Sequence, residues 1–280
     1  MKLGQIRWKD TPTAALFDGV HARPIPDHTL YDLIRRAEVE GATIQELAVS
    51  MASKHPEPAV PVIPIRAPEV WACGCTYPSS AALRDAELGE RGGMYTYVFD
   101  KPRPETFFKG TARACVGPGK PIGIRADSQL TVPEPELAVV LGSKGRIVGY
   151  TLANDVSAWD IAKENPLYLT QAKYYAGCCA LGPLMVTADE IPDPHNIQIS
   201  CTIRRGEETV FSASMSTSRM NRKIEDLVAY LIRSNPVPCG SVLLTGTGIV
   251  TGEAGRLQPG DVVTISAPEI GELSNPAQIV

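Results

Sequence analysis

The chain has 280 residues, 44% of them hydrophobic and 21% charged, an ordinary globular composition that is long enough for one large domain with a small appendage. Its net charge of −4 and the lack of a basic run argue against nucleic acid or an anionic membrane as partner. No apolar run approaches the roughly 18 residues needed to span a bilayer. Met1-Lys2-Leu3-Gly4-Gln5 opens no apolar leader, and seven cysteines without a Cys-x-x-Cys read as reduced and cytoplasmic, not as a disulfide framework or a zinc site.

Residues 1 to about 25 read as a short β meander around Gly19. Residues 27–53 turn helical: Leu30, Leu33, Ile34 and Ala37 recur at three- and four-residue spacing, and Thr43 is placed to cap a second helix carrying Ile44, Leu47 and Met51. Pro56, Pro58, Pro61, Pro64 and Pro68 then stiffen an extended connector, which puts a domain boundary at about residue 66. The small N-terminal domain, 1–66, is marginal alone and is expected to pack on the larger one, 67–280. There, residues 70–77 read as a buried strand and 79–90 as a polar helix with Arg84 and Glu87 one turn apart. Gly92-Gly93 is a break, 106–109 a short strand and 117–121 a turn. Gly182-Pro183 reads as the close of the region after the hairpin described next. Gly206-Glu207 turns a second hairpin, and 223–233 is an amphipathic helix with Ile224, Leu227, Val228 and Leu231 on one face. Residues 242–245 and 261–266 are buried strands. Many strands with few helices point to an α+β, β-rich fold, not alternating βαβ units.

Pro133-Glu134-Pro135-Glu136 opens a hairpin that returns to Asn154-Asp155 through the turn Gly142-Ser143-Lys144-Gly145. With Ser143 and Lys144 as a two-residue loop, Glu136 faces Thr151 and Glu134 faces Ala153. Asp155 then falls on the face of both glutamates, diagonal to Glu134 with Cα atoms roughly 7–8 Å apart. Three carboxylates on one face repel unless a proton or a cation intervenes. With no Lys or Arg predicted between them, the all-oxygen set suits Mg²⁺, Mn²⁺ or Ca²⁺. A solvated strand end with ordinary surface acids explains the same residues.

Thr245-Gly246-Thr247-Gly248 follows a strand, but the glycine spacing and the turn-like residues after it do not fit a dinucleotide loop. The loop is able to offer backbone N–H groups and threonine hydroxyls to a carboxylate, and it is equally a plain turn. Lys173 and Lys109 both sit among aromatic residues, either snorkelling or serving as functional cations. Arg84, Glu87 and Glu105 are by default exposed. No Gly-x-Ser-x-Gly elbow supports a serine triad.

Residues 132–142 and 149–160, with Leu243-Leu244-Thr245-Gly246-Thr247-Gly248 and Phe107-Phe108-Lys109, resemble the signature blocks of the fumarylacetoacetate hydrolase superfamily in consistent order over residues 67–280. The resemblance implies a mixed β-sandwich or roll, a Mg²⁺ (or Mn²⁺) site and a homodimer or larger homo-oligomer. It makes Glu134, Glu136 and Asp155 the metal ligands and Lys173 the lysine facing substrate. Thr247 and Gly246 belong to its substrate loop, and Lys109 and Arg84 join the substrate-binding set. The carbon–carbon bond hydrolases of the family carry a histidine shortly after the block matching Gly74-Cys75-Thr76-Tyr77, and none stands in 78–84 here. Residues 164–173 are instead similar to the 2-keto-3-deoxy-D-arabinonate dehydratase-like branch, in which Glu105 takes the acid/base position. The expected function is therefore a Mg²⁺-dependent lyase that dehydrates a 2-keto-3-deoxy sugar acid through a metal-stabilised enolate. The alternative is a C–C bond hydrolase of an acylpyruvate or other diketo acid. Arg84 and Glu87 are expected on a lid bounded by Gly92-Gly93.

Overall fold

The computed structural model describes residues 1–88 and 93–280, with the side chains of residues 87 and 88 also outside the description. The lid expectation rests in part on the side chain of Glu87 and on Gly92, which lie outside the description.

The acidic hairpin lies in the middle of the larger sheet. Among the described residues that sheet has eleven strands. In order across it run Glu57–Pro58, His21–Ile25, Thr11–Asp18, Lys2–Trp8, Cys179–Thr187, Ile147–Asp155, Pro135–Leu141, Val242–Leu244, Val70–Gly74 and Glu105–Gly110, with Cys115–Val116 pairing beside Cys179–Thr187. The N-terminal meander joins this sheet through Lys2↔Val186 and Leu3↔Met185. A five-stranded sheet of Glu208–Ser216, Gln198–Arg205, Val262–Ala267, Gly271–Ile279 and Ile122–Ile124 packs on one face. The architecture is α+β and β-rich, as the strand-dominated pattern implies.

The hairpin is buried on both sides, which explains why Leu137-Ala138-Val139-Val140-Leu141 is continuously apolar and does not alternate. Leu137, Val139, Leu141 and Leu152 pack toward Ile199, Ile203, Val263 and Ile265 of the smaller sheet and toward the helix Ile224–Ile232. Ala138, Val140 and Ala153 pack the other way, with Leu30, Leu33, Ile34 and Ala37 of the helix Leu30–Glu40. Each fully buried Leu, Val or Ile contributes about 1.5–3 kcal/mol. Thr29 and Thr43 both close capping boxes, with Asp32 and Glu46, and so fix where the two N-terminal helices begin. The helix Pro78–Leu88 and a further helix, Met94–Asp100, form a pair beside the acidic end of the hairpin.

Two expectations need correction. Gly182-Pro183 does not close a region: both residues lie inside the central strand Cys179–Thr187. A register irregularity between Tyr150 and Leu152 meets that point, and a proline without an N–H is tolerated where the ladder is already interrupted. The hairpin register also differs. Ser143–Gly145 forms a three-residue 3₁₀ turn with Lys144 at φ 56°, so Gly142 pairs with Arg146. Val140 pairs with Gly149 and Leu141 with Ile147, which leaves Val148 as an extra, bulged residue. The longer turn and the bulge each move the register by one. Either alone would turn Asp155 to the opposite face, and together they preserve it.

Candidate active site

The corrected register places Asp155 directly opposite Glu134, with its N–H donating to the Glu134 carbonyl at 2.9 Å, while Glu136 faces Ala153. Glu134, Glu136 and Asp155 are all buried, and one oxygen from each lies within 4.8 Å of the others. Their side chains stand on the face shared with Ala138 and Ala153, so the packing that orients the apolar residues also orients the acids.

The expectation that no cation lies among these carboxylates is overturned. Lys173 ends the short helix Leu169–Lys173, is 1% exposed, and donates through Nζ to Glu134 Oε2 at 2.6 Å, Asp155 Oδ2 at 3.0 Å and Ser157 Oγ at 2.6 Å. Lys109, from the strand Glu105–Gly110, is 0% exposed; its Nζ lies 2.7 Å from Asp155 Oδ1 and donates to the carbonyls of Val156, at 3.0 Å, and Lys173. Arg84, on the helix Pro78–Leu88, donates from Nη2 to Glu134 Oε1 at 3.0 Å, with its guanidinium 5.6 Å from the centre of the Tyr95 ring. None of the three is close to the triad in sequence, so spacing along the chain carried no sign of them.

Glu136 is held differently. Its Oε2 accepts the backbone N–H of Gly246, in the loop after the strand Val242–Leu244. Gly246 has φ +95°, and a Cβ there would stand 2.0 Å from Thr76 Oγ1, so glycine is required at the point where the backbone approaches the carboxylate. The neighbouring Thr247 hydroxyl accepts the Ile249 N–H at 3.2 Å. Thr247 also borders a small space with Ser80, Arg84, Glu134 and Trp159. Glu105 is not in contact with the triad. It lines an adjoining cavity of about 760 Å³ with Tyr95, Val98, Ala162 and Leu169, and its Oε2 accepts the Cys75 thiol at 3.5 Å. A Cβ at the adjacent Gly74 would stand 2.0 Å from that same oxygen, so a larger residue there would push the Glu105 carboxylate aside. Arg84 feels the charges of both Glu134 and Glu105, and so lies electrostatically between triad and cavity.

The electrostatics separate Glu136 from Asp155. Burial, then the charges of Asp155 and Glu134, push the Glu136 carboxyl well above the usual carboxylate range. Burial would raise Asp155 as well, but the ammonium groups of Lys109 and Lys173 outweigh it and hold that carboxyl below its ordinary value. Burial also works against the charged form of Lys109, yet Asp155 carries it above the usual lysine range. Between these two, Glu136 is thus the carboxyl whose neutral form the enclosed site favours.

The residues fit a divalent cation. The donors are all oxygen, as hard cations require, and one oxygen from each of the three buried carboxylates converges within 4.8 Å of the others. A cation seated there competes with a proton for Glu136. Mn²⁺ affinity is therefore expected to strengthen as pH rises, by up to about tenfold per pH unit while Glu136 is protonated, with proton release on binding. Calorimetric titration in buffers of different ionisation enthalpy reads both, and an affinity independent of pH, without proton release, would contradict it.

Ser157 is a contact that sequence reasoning missed. It follows Asp155 by two residues on extended chain, so strand parity alone places it on the face of the acids.

Comparison with known proteins agrees with this geometry. The family described as Fumarylacetoacetate (FAA) hydrolase C-terminal matches residues 70–278. The chain is 48% identical over 220 residues to 2-dehydro-3-deoxy-D-arabinonate dehydratase of Saccharolobus solfataricus, covering 77% of this chain and 73% of that protein. It is 43% identical over 258 residues to a probable 2-keto-3-deoxyxylonate dehydratase of Haloferax volcanii, covering 88% and 87% respectively. A solved structure of 2-keto-3-deoxy-D-arabinonate dehydratase complexed with magnesium and 2,5-dioxopentanoate superposes with a TM-score of 0.83 at 39% identity, over 100% of this chain and 99% of that one. The buried acidic triad at the end of a central hairpin, and a family match running through both sheets, place the chain in the fumarylacetoacetate hydrolase family.

Proposed function

We propose that the protein is a Mg²⁺- or Mn²⁺-dependent dehydratase of a 2-keto-3-deoxy sugar acid, a pentonate in the first instance, releasing water and 2,5-dioxopentanoate. The observation that carries this reading is the set of groups beside the triad: Lys173 and Arg84 touch it, Glu105 stands in the adjoining cavity, and the helix Pro78–Leu88 carries no histidine. Dehydration needs a proton to leave the carbon beside the keto group and another to reach the departing hydroxyl, and neither requires a histidine. The names of the similar proteins point to the same reaction.

Glu134, Glu136 and Asp155 would hold the cation. Bound there, it supplies Lewis-acid polarisation of a 2-keto acid's carboxylate and keto oxygens. Lys173 sets its ammonium at the triad and stabilises the negative charge that grows on the substrate as the carbon-bound proton leaves. Glu105, as acid/base, accepts the carbon-bound proton and returns it to the departing hydroxyl, which leaves as water. Arg84 and Thr247 orient the substrate's oxygens, while the Gly246 N–H is taken up by Glu136. We assign Lys109 to holding Asp155 in place and not to touching substrate, because it is fully enclosed and already engaged with Asp155 and two carbonyls. A homo-oligomer fits the exposure of Leu167 and Tyr97, 88% and 62%, and a cytoplasmic setting fits seven unpaired cysteines.

Incubation of the protein and Mg²⁺ with 2-keto-3-deoxypentonates, and separately with acylpyruvates, tests the reading. The expected product is the semialdehyde from the first. Pyruvate released from acylpyruvates alone would overturn it in favour of hydrolysis. Glu105→Gln is expected to lower kcat by about 10²–10⁴-fold with Mn²⁺ affinity unchanged. Full activity in that variant would remove Glu105 from the mechanism.

A further inference from the structure

A second reactive arrangement lies on the strand next to the acidic hairpin, where Cys179 pairs with Asp155. The short strand Cys115–Val116 pairs in parallel with Cys179–Thr187, with Cys115 directly opposite Cys179. Facing residues on neighbouring strands project to the same side and stand about 4.7–4.9 Å apart, within the roughly 4.4–6.8 Å Cα separation that a disulfide spans. In the reduced protein the Cys115 thiol donates to the Thr111 carbonyl at 3.4 Å and the Cys179 thiol to the Ala180 carbonyl at 3.9 Å, long contacts that a rotation of either side chain releases.

The members of the pair differ in access. Cys179 is 0% exposed, whereas Cys115 is half-buried and lines a groove of about 970 Å³. Trp8, Val62, Arg66, Val116 and Lys120 share its walls, where the N-terminal meander and the proline-rich connector meet the turn at 117–121. The neighbouring Cys178 is turned to other use, its thiol donating to the Lys109 carbonyl at 3.8 Å. One thiol therefore stands at an open groove with a single enclosed thiol behind it, the arrangement of an attacking and a resolving cysteine.

We propose that Cys115 and Cys179 form an oxidisable dithiol, a modification site for small hydroperoxides that enter from this groove. Cys115 attacks the peroxide: its S–H and the O–O bond break, an S–O bond forms, and the products are the sulfenic acid and an alcohol, or water from hydrogen peroxide. Cys179 sulfur then attacks the Cys115 sulfur, the S–S bond forms, and the hydroxyl leaves as water with the Cys179 proton. Two thiols are oxidised and one peroxide is reduced.

The test uses the intact reduced chain. After treatment with hydrogen peroxide near stoichiometry, remaining thiols are alkylated and peptides are mapped without reduction. The expected result is loss of two of the seven free thiols, recovered as a Cys115–Cys179 cross-linked peptide and restored by dithiothreitol. Cys179→Ser is expected to stop at a sulfenic acid on Cys115 that dimedone traps. Seven alkylated cysteines after treatment would overturn the proposal. So would first loss at Cys239, which is also half-buried but lies in a turn. Because wild-type mapping decides the matter, a variant that fails to fold does not blunt the test.

Discussion

Lys173→Met is expected to lower kcat/KM by about a thousandfold or more, within the range that a positioned charge or proton-transfer group contributes. The variant also separates structural from chemical roles. In the metal-free protein, Lys173 neutralises Glu134 and Asp155 at 2.6 Å and 3.0 Å, and all three are enclosed. Removing one partner of a buried ion pair costs about 3–5 kcal/mol, because the remaining charges stay desolvated. A divalent cation at the triad supplies the missing positive charge. Mn²⁺ should therefore raise the melting temperature of Lys173→Met more than that of the wild type, while turnover stays lost. Thermal unfolding with and without Mn²⁺, together with steady-state kinetics, reads both effects. A variant that regains stability and turnover together would show that the lysine is structural only.

Gly246→Ala is expected to cost about 2–5 kcal/mol of stability and at least about tenfold in Mn²⁺ affinity. The stability loss sums about 1–2 kcal/mol for a Cβ in left-handed backbone with about 1–3 kcal/mol for overpacking. The clash has little room to relax, since Thr76 is 0% exposed and its hydroxyl is committed to the Thr245 carbonyl at 2.8 Å. If the loop turns away to make room, Glu136 loses the backbone N–H that holds it, and a hydrogen bond to a charged group contributes about 1.5–3 kcal/mol. Thr247→Ala is the control: it leaves that amide in place, so Mn²⁺ affinity should stay within about twofold while substrate KM rises. Equal losses of affinity in the two variants would contradict the assignment of the Gly246 amide to Glu136.

These expectations also mark what was legible in the chain itself. The helices Leu30–Glu40, Ile44–Met51 and Ile224–Ile232 follow from their own periodicity, and the first two from their capping threonines, because helix signals are local. The strand Cys179–Thr187 was not legible. Its Gly182-Pro183 reads locally as a breaker, and only the neighbouring strands give it ladder partners. The same division runs through the site. Strand parity makes Glu134, Glu136 and Asp155 a triad from sequence alone, and it does so even though the true turn and bulge differ from the simplest hairpin, because two one-residue shifts cancel. Lys173, Lys109, Arg84 and the Gly246 amide come from four separate elements, and nothing in their spacing from the acids announces them. By itself the sequence determined a β-rich fold with three carboxylates on one face and no histidine beside them. The tertiary structure decided how that charge is compensated: closing the sheets excludes water from the acids, and long-range packing must then bring two lysines, an arginine and a backbone N–H to meet them.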